Sequence, residues 1–249
     1  MDASSGDHAP NDSRRGSGGW LLAMRWEKLL FAHWPVETDR LRSFIPSDLD
    51  IDTHDGRAWL GVVPFRMTGI RARGLPPIPF VSSFPELNLR TYVRCGDRVG
   101  VWFFSLDAAH RLAVATARWT FSLPYFNARM RCDEDGDGWV NYESVRTHRG
   151  APVVEFVGRY RPAGAPCRTE PDSLPEFLTK RYCLFAQNRR GRILRGDIHH
   201  EPWELCDAEL EIERLTLAAP LRIRRFEGEP ILHYSDRLDV VAWSPEAVS

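Results

Sequence analysis

The chain has 249 residues, a formal net charge of -1, and 43% hydrophobic and 11% aromatic residues, the balance of an ordinary globular protein with material for a sizeable core. A charge near zero gives no basic footprint for nucleic acid, and no apolar run approaches a membrane span, so neither is expected as a partner. Five widely spaced cysteines with no C-x-x-C pair argue against a disulfide framework or a zinc site and for a reducing, cytoplasmic location.

Residues 1–19, MDASSGDHAPNDSRRGSGG, lack the apolar core of a signal peptide. Such small polar residues bury too little to offset ordering entropy. They are expected to form a disordered leader, with residues 20–249 as one domain, because neither a repeat nor a linker follows. WLLAMRW and LLFAHWPV suit strand or helix. TDRLRSFI, between Thr38 as N-cap and Pro46 as a stop, predicts a short helix. AWLGVVPFRM reads as a strand bent at Pro64, followed by the Pro- and Gly-rich loop RARGLPPIPF. LNLRTYVR alternates, with Leu87, Leu89, Thr91 and Val93 on one face and Asn88, Arg90, Tyr92 and Arg94 on the other, which predicts a half-buried strand. VGVWFFSLDA suits a strand buried on both faces, and NARMRC and WVNYESVR predict a hairpin around DEDGDG. SLPEFLTKRYCLFA carries a capping box, Ser173 three residues before Glu176, and predicts a helix. VVEFVGRYR, AELEIERL, ILHYSDRL and DVVAW read as further strands.

Several candidate sites meet simpler explanations. Asp133, Asp135, Asp137 and Gly138 have the spacing of a calcium loop, but Ser144 stands where a bidentate Glu is needed, so an acidic hairpin tip is the better reading. His199, His200 and Glu201 suggest a metal, yet neighbours on a strand face opposite ways and further ligands are lacking. No metal is expected. G-x-S-x-G, Walker and G-x-G-x-x-G motifs are absent, and no cofactor is expected. Arg118 in ARWTFSLPYF carries a permanent charge, so burial would require a partner. Glu86, at the entrance of FPELNLRTY, is the candidate partner from a neighbouring strand.

The segments HWPV, DGRAWLGVVPFRM, FPELNLRTYV, VWFFSLDA, LPYFNARM, LTKRYCLF, RGDIHHEPW and RLDVVAW together resemble the YqjF-like bacterial family, a domain of unknown function, from about residue 26 to 243. That family is similar to a distant branch of the acetoacetate decarboxylase-like superfamily. The resemblance implies a mainly β (α+β) fold, a curved antiparallel sheet forming a cone-like barrel around a cavity, with a few short peripheral helices. It also favours a homo-oligomer. Acetoacetate decarboxylases carry Gly-Arg-Glu and then Pro-Lys-Lys, the first lysine forming a Schiff base. Here Arg118 and Pro124 keep their spacing, Glu86 matches the pocket glutamate, and Tyr125 and Phe126 replace both lysines.

Imine chemistry needs an amine, and of 33 basic residues only Lys28 and Lys180 are lysines, leaving 31 arginines. The protein is therefore not expected to be a Schiff-base decarboxylase. Three readings remain open. The favoured one is a cavity for a small oxygen-bearing metabolite, with Arg118, Glu86, Trp119 and Tyr125 as ligand-binding residues. The second is a lysine-independent enzyme using Tyr125, Glu86 or His199 as acid or base. The third is a structural or oligomerisation module whose cavity has been filled by aromatic side chains.

Overall fold

The structure is a computed structural model that describes residues 19–78 and 82–248. All but the last residue of the expected leader lies outside the described residues, as does part of the Pro-rich loop.

The first two apolar segments fuse into one strand, β1 (Leu22–Val36). Its pairing with β3 (Ala58–Ala72) is interrupted between Glu27↔Arg66 and Ala32↔Val62, where β1 carries one residue more than the strand opposite. Pro64, which has no N–H to give a ladder, falls in that gap, and Lys28 absorbs the irregularity at φ 53°. The helix α1 (Thr38–Arg42) forms as predicted, one residue displaced, with Glu37 at its N-cap. After the short β2 (Asp50–Ile51), β3 pairs antiparallel with β4 (Phe84–Cys95), and β4 antiparallel with β5 (Arg98–Ala108).

Residues 111–121, which the sequence reading left without an element of their own, form a helix, α2 (Arg111–Phe121). The His110 ring caps its first turn by accepting the Ala113 N–H at 3.3 Å. Ser122 in the left-handed region (φ 54°) and Pro124 two residues on end it. The predicted hairpin follows as β6 (Tyr125–Glu134) and β7 (Val140–Arg146), then β8 (Glu155–Cys167). At the acidic tip Asp135 accepts the N–H groups of Asp137 and Trp139, both at 3.0 Å. Among the described residues no His, Cys, Asp and Glu cluster could hold a metal.

The capping box at Ser173 is present, with its hydroxyl accepting the Glu176 N–H at 3.3 Å. The helix it starts, α3 (Leu174–Thr179), stops much earlier than predicted. The remainder, Cys183–Gln187, is instead a strand, β9, held between β5 and β10 (Ile193–His200). Gly100 permits this pairing, since a Cβ there would lie 2.8 Å from the Cys183 carbonyl. β11 (Leu205–Leu215), β12 (Ile231–Ala242) and β13 (Glu246–Ala247) complete the chain.

Among the described residues thirteen strands join in one sheet, ordered β13-β10-β9-β5-β6-β7-β8-β11-β12-β1-β3-β4-β2. Two extra pairings, β10–β12 and β5–β4, carry the curved sheet part of the way round into a ring. Both faces of β1, β3 and β4 are consequently buried. Leu30, Val62, Leu87 and Leu89 join one core with Tyr142, Phe156 and Tyr160. Leu29, Phe31, Val63 and Phe65 point the other way, into a second cluster with Trp203 and Val114. No helix among the described residues is long and apolar enough to cross a membrane.

Candidate functional site

The second cluster does not close. It surrounds a cavity of about 540 Å³ whose walls are chiefly apolar, from Trp26 and Phe31 at depth to Leu75, Ile78 and Leu112, all largely exposed. Strand alternation places Glu86, Asn88 and Arg90 of β4 in its lining, so the polar face of the strand predicted to be half-buried is turned inward, toward the cavity. Tyr125, the first residue of β6, joins the same lining.

The Tyr125 hydroxyl donates to Glu86 Oε2 at 3.0 Å. Burial pushes the Glu86 carboxyl up from 4.5 to about 8, opposed by hydrogen bonds from Tyr125 and Asn88 and assisted by the nearby Asp107 charge. Glu86 is thus largely a neutral acid at pH 7, able to donate as well as accept. Burial, and then the proximity of Glu86, drives the Tyr125 phenol well above its ordinary range. Asn88 Oδ1 and Arg90 Nε are buried without a hydrogen-bond partner.

Arg118 and Trp119 do not join this group. Arg118 is exposed on α2 and donates to the Tyr125 carbonyl at 2.5 Å, so the expected ion pair with Glu86 is not formed. Trp119 is 86% exposed. The reason is helical: Leu112, Ala113, Thr116, Ala117 and Phe121 are the α2 residues that line the cavity, and one further step of about 100° from Ala117 takes Arg118 off that face. Of the two adjacent histidines it is His200, not His199, that lines the cavity. Burial lowers the His200 imidazole to about 4, its Nδ1 lies 2.7 Å from the Glu201 carbonyl, and Nε2 is left as an unpartnered acceptor.

Both lysines stand outside the lining. Lys28 Nζ contacts Glu134 at 3.1 Å and Asp236 at 3.0 Å, and Lys180 Nζ contacts Glu176 at 2.7 Å. Asp107 forms a buried two-point pair with Arg146 at 2.7 and 2.8 Å.

Asn88 and Arg90 are among the polar cavity residues that the sequence reading missed as site members. Their signal was the period-two repeat from Glu86, and Gly61 confirms how tightly the arginine is seated. A Cβ at Gly61 would stand 2.9 Å from His33 Nε2 and 3.4 Å from Arg90 Cγ.

This architecture is similar to an acetoacetate decarboxylase-like enzyme from Sphingomonas wittichii RW1, with a TM-score of 0.62 at 11% identity over 93% of this chain and 94% of that one. The enduracididine biosynthesis enzyme MppR, complexed with pyruvate, matches at a TM-score of 0.64 and 11% identity over 99% of both chains. At such identities the likeness is one of fold alone, an acetoacetate decarboxylase-like fold. In sequence the chain is 46% identical over 226 residues to the uncharacterized protein YqjF of Bacillus subtilis (strain 168), covering 91% of this chain and 92% of that protein. The profile of the DUF2071 family, described as an uncharacterized conserved protein, matches residues 23–239, and the chain belongs to that family.

Proposed function

We propose that the cavity binds a small, largely apolar organic molecule bearing a carbonyl or carboxyl oxygen, and does so without Schiff-base chemistry. The observation that carries this reading is the contrast within one cavity: apolar walls around one polar pole, where Asn88 and Arg90 keep atoms without protein partners. Leaving such atoms unpaired costs about 1–3 kcal/mol each, a cost that a ligand oxygen offsets. In this role the neutral Glu86 donates to the ligand, Tyr125 orients Glu86, and the apolar walls hold the ligand body.

One observation favours a second reading, a lysine-independent enzyme acting on a carbonyl. Glu86 is an acid tuned close to neutral pH inside an open pocket, the combination that general acid–base catalysis uses.

Native mass spectrometry tests both. The protein as purified, and after soaking with octan-2-one, is compared with Ala117→Trp, which sets an indole in the cavity wall. A small-molecule mass increment in the wild type that is lost in the variant is the expected result, and clean apo masses throughout would bring the structural-module reading forward. Running the same soak in D2O separates the readings. Deuterium entering α to the recovered ketone's carbonyl, and failing to enter with Glu86→Gln, would favour the enzyme, and its absence the binder.

A further inference from the structure

An arginine taken out of water is normally paired. Arg181, which also lines this cavity, follows that rule, donating to Asp52 at 2.7 Å and to the Phe177 carbonyl at 2.8 Å. Arg90 does not. Its terminal nitrogen donates to the Leu178 carbonyl at 3.2 Å and approaches the Tyr92 hydroxyl at 3.5 Å. Its Nε is buried without a partner, and among the described residues no Asp or Glu stands within ion-pair distance of it. Phe31 and Tyr92 sit 5.2 and 5.8 Å from the guanidinium carbon and hold the group by cation–π attraction rather than by charge neutralisation.

The acid two positions beyond Asn88 does not cancel the charge, because burial keeps the Glu86 proton in place until about pH 8. Three arginines line the cavity: Arg181 is neutralised by Asp52, Arg71 is exposed, and Arg90 is a partly buried positive charge without a carboxylate partner, fixed by neighbours that leave donors free. A half-buried charge of this kind is expensive without a counter-ion. Guanidinium geometry best matches a planar carboxylate.

We propose that Arg90 is the carboxylate anchor of the cavity, and that its ligand class is an organic monocarboxylate with an extended apolar body. This rests on the cavity reading above and narrows it from any oxygen-bearing molecule to an acid. A dicarboxylate or a phosphate finds no second uncommitted cation at the pole, since Arg181 is occupied by Asp52. The apolar body then runs along Phe31, Val63 and Met67 toward Leu112 at the exposed end.

The test compares octanoate with octan-2-one by isothermal titration calorimetry at pH 7, on wild type, Arg90→Met and Arg90→Lys. Octanoate is expected to bind the wild type at least about tenfold more tightly than the ketone, as a charge-assisted pair should. Arg90→Met should erase that preference while ketone binding persists, and Arg90→Lys should keep part of it. Arg90 also supports the Leu178 carbonyl; should Arg90→Met fail to fold for that reason, the wild-type comparison and Arg90→Lys decide. Equal binding of the two probes, or a preference that survives Arg90→Met, overturns the anchor and leaves the cavity reading standing. Failure of both probes to bind overturns both.

Discussion

The two faces of β1, β3 and β4 are built from alternate residues of the same strands and end in opposite states. On one face Leu30, Val62, Leu87 and Leu89 meet Tyr142, Phe156 and Tyr160, all of them buried. Each phenol there is hydrogen-bonded to a strand carbonyl: Tyr142 to Glu86 at 2.7 Å, and Tyr160 to Lys28 at 2.7 Å, at the bulge. On the other face Glu86, Asn88 and Arg90 border open volume, with polar atoms left over. The chain therefore has the means to fill a compartment of this fold with aromatic residues and to satisfy their hydroxyls, and it does so on one side only. A filled, purely structural cavity describes the tyrosine face. It does not describe the glutamate face.

The largest expected effect lies on the filled face. Tyr142 is completely buried, and Tyr142→Ala removes its ring and both of its carbonyl contacts. Urea denaturation should show a loss of about 3–5 kcal/mol, the usual cost of an aromatic-to-alanine change in a packed core. A loss below about 1 kcal/mol would mean that this face is as loosely filled as the cavity and would erase the contrast.

The next effect belongs to Glu86 and depends on pH. Its folded pKa, about 8, lies above its ordinary value of 4.5, so between those pH values the unfolded chain has released a proton that the folded chain retains. Stability from this group is therefore highest below about pH 4.5 and falls as pH rises through the window, by roughly 3–5 kcal/mol in all. The buried histidines work the other way. Burial lowers the pKa of His33 and of His200, so their contribution grows as pH rises. The useful reading is thus the difference between wild type and Glu86→Gln, in which Tyr125, Asn88 and Asp107 remain on both sides of the comparison. The glutamine variant should gain on the wild type steadily from pH 5 to pH 8. Parallel stability curves would show that Glu86 is ionised in the folded protein and that the neutral-donor role is wrong.

How much of this was legible beforehand follows from periodicity. The strands announced themselves through alternation and turn residues, and β4 even displayed its two faces, Leu87 and Leu89 against Asn88 and Arg90. What alternation lacks is any statement about whether a polar face meets bulk water or an internal cavity. That depends on the β5–β4 and β10–β12 pairings, which bring together segments far apart in the chain. Glu86 and Tyr125 were reachable through the resemblance, which carries their pocket position in its motif. The same motif also pointed to Arg118, beside Trp119, and there it misled, because reading their face required knowing that 111–121 is helical, where a one-residue step changes the face. His199 and His200 illustrate the strand version of the same problem, since a shift of one residue exchanges inside for outside.

The smallest expected effect sharpens the boundary of the open face. Trp119 is a large aromatic residue, yet 86% of it is exposed, and it lies outside the cavity lining. Trp119→Ala should therefore change stability by no more than about 0.5 kcal/mol, as exposed substitutions usually do, and should leave octan-2-one binding at its wild-type value. Ala117→Trp, two residues earlier on the same helix, places the same indole on the lining and should block that binding. If Trp119→Ala weakened the ketone while the fold stayed intact, the bound molecule would have to extend past Leu112 onto the outer side of α2. The open face would then reach beyond the sheet and include the helix surface.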